Sequence, residues 1–149
     1  MQRVYVSAVM NAPIAATWAI LRDFNGLPNY NSRLFSTSHI ENGLAADQVG
    51  CVRNFRTKDG TGLIREKLLT LSDREYTCCY CILEATLPVQ DYVAEMRLWP
   101  VTEGNQTFGE WWATFAVAPE DEAAVVQTVS NTFRFAFEGA AALAAAKRG

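Results

Sequence analysis

The strongest constraint in this sequence is a series of strand-like runs that ends in one uninterrupted helical segment. Between residues 35 and 118, six runs rich in β-branched and aromatic residues alternate with short polar turns such as Asp59-Gly60 and Gly104-Asn105. Runs of this length joined by tight turns are typical of an antiparallel meander. A further run, residues 3–10, opens the chain. We therefore predict a seven-stranded antiparallel sheet.

Two short helices are expected between the first two strands. The stretch "NAPIAATWAILRDF" offers Asn11 as an N-cap and repeats Ile14, Trp18 and Leu21 at helical spacing. Gly26 and Pro28 end that helix, and a second short helical piece is expected over residues 27–34.

A long helix is expected after Pro119. The segment begins with acidic residues and ends with Lys147 and Arg148, as the helix dipole favours. At about 25 residues it would be roughly 38 Å long. One apolar stripe runs along it, formed by Val125, Val129, Phe133, Phe137 and Ala140.

The order of these elements predicts an α+β, helix-grip arrangement. A sheet with this many strands must cover one face, and only the C-terminal helix is long enough to do so. A curved sheet wrapped around one helix tends to leave a hollow, although a solid core is the alternative. We expect one domain over residues 1–149.

Composition restricts the classes of partner. The chain has 149 residues, half of them hydrophobic and 19% charged, with a net charge of −3. Its basic residues form no stripe, so we expect no nucleic-acid partner. We find neither a run long and apolar enough to span a membrane nor a signal peptide, and we expect a cytoplasmic protein.

The four cysteines, Cys51, Cys78, Cys79 and Cys81, do not read as a metal or disulfide set. Cys78 and Cys81 are three apart in a strand and so point to opposite faces. With one histidine in the chain, a zinc shell is hard to assemble. We expect packed, reduced thiols, and no metal or cofactor.

Three consecutive charges, Arg65, Glu66 and Lys67, interrupt the strand "GLIREKLLTL". Alternation puts Glu66 on one face and the two cations on the other. The pattern favours Glu66 inside, because two charges outside cost less than two inside. Arg53, on the preceding strand, is the best candidate partner.

The residues resemble a known family. "APIAATWAILRDFNGLPNY", "VGCVRNF", "REKLLTLSD", "LPVQDY" and the Thr107–Trp111–Phe115 spacing occur in the order typical of the START-like, birch-pollen-allergen-like superfamily. Within it, the chain is similar to the bacterial polyketide cyclase/dehydrase and lipid-transport branch. The resemblance implies the helix-grip fold and an internal cavity for a hydrophobic small molecule.

The same segments are similar to those of plant abscisic-acid receptors. That resemblance implies that Glu66 and Tyr92 face the cavity, with a gate loop at residues 58–62 and a latch loop at 85–91. Neither loop keeps the receptor pattern, and the receptors' cavity lysine has no clear equivalent. Hormone-triggered partner binding is therefore not implied.

Alternation and the resemblance together give a set of ligand-binding candidates. For each of them, core packing is the alternative role. Val89 is a further lining candidate, and Trp112, on the opposite face, would cover the sheet or a homodimer interface. The set comprises Arg53, Phe55, Ile64, Glu66, Leu68, Tyr80, Ile82, Leu87, Tyr92, Trp111, Phe115, Val129 and Phe133.

Three functions stay open from sequence. The first is a non-catalytic carrier or sensor of a hydrophobic, cyclic molecule, favoured because no nucleophile–base pairing can be drawn. The second is a cyclase or dehydratase in which Glu66 is the acid/base, with Arg53 and tyrosine hydroxyls polarising a carbonyl. The third is an adaptor without a cavity. For Arg53 and Glu66 themselves, the alternative to a role in binding is a purely structural buried pair.

Overall fold

A computed structural model, which describes residues 1–148, contains one seven-stranded sheet in the order β1-β7-β6-β5-β4-β3-β2. Every neighbouring pair is antiparallel. In this order β1 and β2 are the two edge strands. The predicted sheet is confirmed. Its strands are β1 (Gln2–Met10), β2 (Phe35–Ile40), β3 (Val52–Thr57), β4 (Leu63–Ser72), β5 (Thr77–Ala85), β6 (Gln90–Val101) and β7 (Gln106–Ala116).

Two short helices, α1 (Ile14–Leu21) and α2 (Leu27–Tyr30), connect β1 to β2, and a 3-10 turn (Glu41–Gly43) follows β2. The prediction that Asn11 is the N-cap of α1 is wrong. Pro13 holds that position in extended conformation, with no side-chain cap. The second helix is shorter than predicted. It ends at Tyr30, because the backbone of the next residue, Asn31, is not helical.

The long C-terminal helix α3 (Glu122–Arg148) has 27 residues and lies against the concave face of the sheet. Its predicted apolar stripe is buried from Val125 to Ala140, as is Ala144 one turn further on. Within residues 1–148, no helix combines the length and the apolar character needed to cross a bilayer.

Aromatic side chains fill part of the space between sheet and helix. The indole of Trp111 stacks on Phe133 with ring centroids 5.2 Å apart and meets the edge of Phe137 at 5.5 Å. Its Nε1 donates a 3.0 Å hydrogen bond to the hydroxyl of Tyr80. This part of the interior is solid, and the open space lies elsewhere under the sheet.

Candidate functional site

The alternation along β4 places Glu66 inside, as predicted. Glu66 is 5% exposed and shares the inner face of β4 with Ile64 and Leu68. Arg65 and Lys67 lie half-buried on the opposite face. Arg65 is not free there: Glu41 accepts from its Nε at 2.7 Å and from its Nη2 at 2.8 Å.

Arg53 is the ion-pair partner of Glu66. The two residues face each other across β3 and β4, which brings their side chains together on one face. Nε of Arg53 donates to Oε1 of Glu66 at 2.8 Å, and Nη2 lies 2.7 Å from the same oxygen. A third donor, Nη1, reaches the carbonyl oxygen of Phe24 at 3.2 Å.

Aromatic rings enclose the Arg53 guanidinium. Its central carbon lies 4.0 Å from the ring centre of Phe24, 4.7 Å from that of Tyr80 and 5.5 Å from that of Phe55. Such cation–π contacts stabilise a cation that has lost its water. Arg53 is therefore paired with Glu66 and stacked among aromatic rings, and it is only 3% exposed.

Burial dominates the electrostatics of Glu66. It raises the pKa of Glu66, and the charge and hydrogen bond of Arg53 oppose that rise. Burial also raises the pKa of Tyr92 well above its usual value, and the nearby Glu66 charge adds to the effect. These groups hold their protons more tightly than the same groups in water.

A cavity of about 280 Å³ lies beside Glu66. Its walls come from the inner face of the sheet, from the loop after β5 and from α3. Its lining is mostly apolar, and it comprises Phe35, Phe55, Thr57, Ile64, Glu66, Ile82, Thr86, Leu87, Pro88, Tyr92, Thr128, Val129 and Thr132.

Seven of the thirteen predicted ligand-binding residues lie in this lining: Phe55, Ile64, Glu66, Ile82, Leu87, Tyr92 and Val129. The other six do not line it: Arg53 lies behind aromatic rings, and the remaining five are buried in the core, where Trp111 contacts Tyr80 and Phe133. They are Arg53, Leu68, Tyr80, Trp111, Phe115 and Phe133. Direct contact between any of the thirteen and a ligand stays a prediction.

Sequence reasoning missed six lining residues: Phe35, Thr57, Thr86, Pro88, Thr128 and Thr132. The signals were present for some of them. Thr57 follows Phe55 by two residues in one strand, and Thr128 and Thr132 flank Val129 on one helix face. Val89, a further candidate, packs against the core beside the cavity without lining it.

The cavity lining includes part of the loop that the resemblance marks as the latch and none of the loop that it marks as the gate. Thr57 precedes residues 58–62, and the segment Thr86-Leu87-Pro88 lies within residues 85–91. Hydrogen bonds tie the gate loop to itself: Asp59 accepts from the hydroxyls of Thr57 and Thr61, each at 2.8 Å. The hydroxyl of Thr86 accepts from the backbone N–H of Leu63 at 3.0 Å.

The curved sheet, its enclosing helix and the apolar hollow define a helix-grip protein of the START-like type. The chain belongs to the polyketide cyclase/dehydrase and lipid-transport family, whose model matches residues 1–145. The sequence resemblance to this family is thus confirmed.

Solved structures show the same fold. The protein XoxI from Bacillus cereus superposes with a TM-score of 0.85 at 21% identity, covering 100% of this chain and 99% of its own. A putative uncharacterised protein from Bacillus thuringiensis gives 0.82 at 22% identity, with 96% and 98% covered. A protein from Nitrosospira multiformis gives 0.78 at 22%, with 95% and 94% covered. No curated protein matches the chain significantly.

Proposed function

We propose that this protein is a non-catalytic carrier or sensor that holds a hydrophobic, cyclic small molecule between its sheet and α3. The guest would be lipid-, polyketide- or isoprenoid-like. The observation that carries the proposal is the cavity itself: a mostly apolar hollow of about 280 Å³ with a single carboxylate in its wall. Apolar walls with a few polar groups are typical of small-molecule sites.

The cavity volume limits the size of the guest. A cavity of about 150 Å³ accepts one benzene molecule, so about 280 Å³ corresponds to roughly two fused rings. A longer molecule would have to extend beyond the cavity.

The alternative is a cyclase or dehydratase, and one observation favours it: Glu66, with its raised pKa, lines the cavity beside Tyr92. Glu66 would remove a proton next to a substrate carbonyl that the Tyr92 hydroxyl polarises. Two groups that the sequence suggested for this chemistry are already engaged elsewhere. Arg53 is sealed behind aromatic rings, and the Tyr80 hydroxyl already accepts from Trp111.

Native mass spectrometry of the protein as purified tests the proposal. We expect an added mass that solvent extraction recovers as a neutral, lipophilic molecule of about two rings. A protein that is empty as purified and also fails to bind two-ring hydrocarbons would contradict it.

The variant Glu66→Gln separates carrier from enzyme. In a carrier the change alters affinity by about tenfold, or about 1.4 kcal/mol, and neither form converts the guest. If the protein is an enzyme, Glu66→Gln abolishes the dehydration of a β-hydroxy ketone built on the guest's ring system, while the variant still binds that compound. Glu110→Gln, the same chemical change on the outer face, is the matched control, because Glu110 contacts Tyr5 and Trp99 and not the cavity.

A further inference from the structure

The two carboxylate oxygens of Glu66 have different surroundings. Oε1 receives both contacts from Arg53, at 2.8 and 2.7 Å. Among the described residues no donor reaches Oε2, and this oxygen is not fully enclosed by protein atoms. Glu66 lines the cavity, and Oε2 is the carboxylate oxygen that Arg53 leaves without a donor.

Besides Glu66, the polar side chains of the lining are hydroxyl groups, among them that of Tyr92. Apart from Glu66, none of the lining residues carries a charge. The hydroxyl of Thr57 donates to Asp59 at 2.8 Å, and that of Thr132 donates to the carbonyl oxygen of Thr128 at 2.8 Å. The Thr86 hydroxyl is shared between the N–H and the carbonyl oxygen of Leu63.

We propose that the cavity selects a neutral, roughly two-ring molecule whose polar end is a hydroxyl group that donates a hydrogen bond to Oε2 of Glu66. This inference rests on the proposed binding function and specifies the chemical class of its ligand.

Charge arguments select the neutral donor. An anionic head group would lie beside a carboxylate with no cation in the cavity wall, and like charges at short range in an apolar site repel strongly. An ammonium group would add an uncompensated charge, because Arg53 already neutralises Glu66. A ketone oxygen cannot donate to Oε2, so it would have to turn to the Tyr92 hydroxyl and leave Oε2 without a partner.

The preference should depend on pH. Burial raises the pKa of Glu66, so its protonated form becomes populated at a higher pH than for a carboxyl in water. The proton would sit on Oε2, since Arg53 occupies Oε1. A protonated Oε2 donates, so the advantage of a hydroxyl over a carbonyl should decrease as the pH falls through that pKa.

Calorimetric titration of the intact protein with four two-ring compounds tests the inference. The set is 1-tetralol, 1-tetralone, tetralin and tetralin-1-carboxylate, which share one ring system and differ in the polar group. At neutral pH we expect 1-tetralol to bind at least tenfold more tightly than 1-tetralone, and the carboxylate to bind most weakly. Equal or tighter binding of the ketone or the carboxylate would overturn the inference.

The same series separates this inference from the proposed function. Binding of tetralin without any gain for 1-tetralol would overturn the donor preference and leave the carrier function standing. Failure of all four compounds would overturn both.

Glu66→Gln supplies an internal test, because the new amide must turn its oxygen toward Arg53 and its NH₂ group toward the cavity. We expect the variant to prefer 1-tetralone to 1-tetralol, the reverse of the parent protein. Glu110→Gln should keep the parent order. An unchanged preference in Glu66→Gln would contradict contact with Oε2, and the four-compound series on the parent protein decides the case if the variant does not fold.

Discussion

Gly139 of α3 lies directly against the backbone carbonyl oxygen of Tyr30, the last residue of α2. A Cβ atom built at position 139 would overlap that oxygen. Next to it, Nδ2 of the buried Asn31 donates a 2.9 Å hydrogen bond to the carbonyl oxygen of Thr132 on α3. These two adjacent contacts hold α2 against the long helix.

Gly139→Ala should therefore destabilise the protein. In an isolated helix the same change would stabilise by about 1 kcal/mol, because glycine is a poor helix former. Here the added methyl group must displace backbone atoms, and we expect a loss of about 1–3 kcal/mol. Chemical denaturation measures the difference, and a gain in stability would contradict the close approach.

Ala142→Gly is the matched control for that experiment, since Ala142 lies on the exposed side of the same helix. It should cost about 1 kcal/mol by helix propensity alone.

Filling the cavity should abolish guest retention. Ile82 lines the hollow, so Ile82→Trp adds an indole where the guest would lie. Leu83, the next residue on β5, is 46% exposed, so Leu83→Trp adds the same group outside. We expect retained guest and tetralin binding to disappear in the first variant and to persist in the second, as measured by native mass spectrometry and calorimetry.

Removing Arg53 should destabilise the folded protein, because its partner Glu66 stays buried. Arg53→Met leaves Glu66 buried without a counter-charge, and we expect a loss of about 3–5 kcal/mol near neutral pH. Burial raises the pKa of Glu66 in the folded state, and without Arg53 nothing opposes that rise. The folded state then binds more protons than the unfolded state, so stability should be greatest below the ordinary glutamate pKa and fall as the pH rises.

Denaturation of Arg53→Met across about pH 4–8 measures this dependence. The double variant Arg53→Met/Glu66→Leu is the control. Without a buried charge it should recover stability and lose most of the pH dependence. A single variant that is as stable at high as at low pH would contradict an unpaired Glu66.

Glu41 should contribute a pH dependence of the opposite sign. Its hydrogen bonds from Arg65 and Asn54 lower its pKa to about 2. The unfolded state then binds more protons than the folded one, so this stabilisation is present above the ordinary pKa of 4.5 and is lost as the pH falls toward 2. Glu41→Gln should therefore flatten the acid limb of the stability curve.

Glu84→Gln is the comparison variant, because Glu84 contacts the same Arg65 at 3.2 Å but its side chain is 60% exposed. Its effect on acid unfolding should be clearly smaller, since exposed ion pairs contribute little. Equal effects of the two changes would contradict the assignment.

Sequence alone determined the order of the elements, the inward phase of Glu66 and the identity of its partner Arg53. These features depend on local periodicity: alternation of two in β4 assigns each side chain to a face, and a three-to-four spacing marks the buried stripe of α3. The strand must bury either one of these charges or two, and the cost of burying a charge favours the arrangement with one inside.

Only the tertiary structure decided where the hollow lies and which groups reach it. Alternation assigns Tyr80 and Trp111 to the inner face but does not reveal that they bond to each other and fill the space. Nor does it show that Phe24, from the segment between α1 and α2, covers Arg53. Packing of this kind depends on contacts between residues distant in sequence, and a local pattern carries no information about which of them meet.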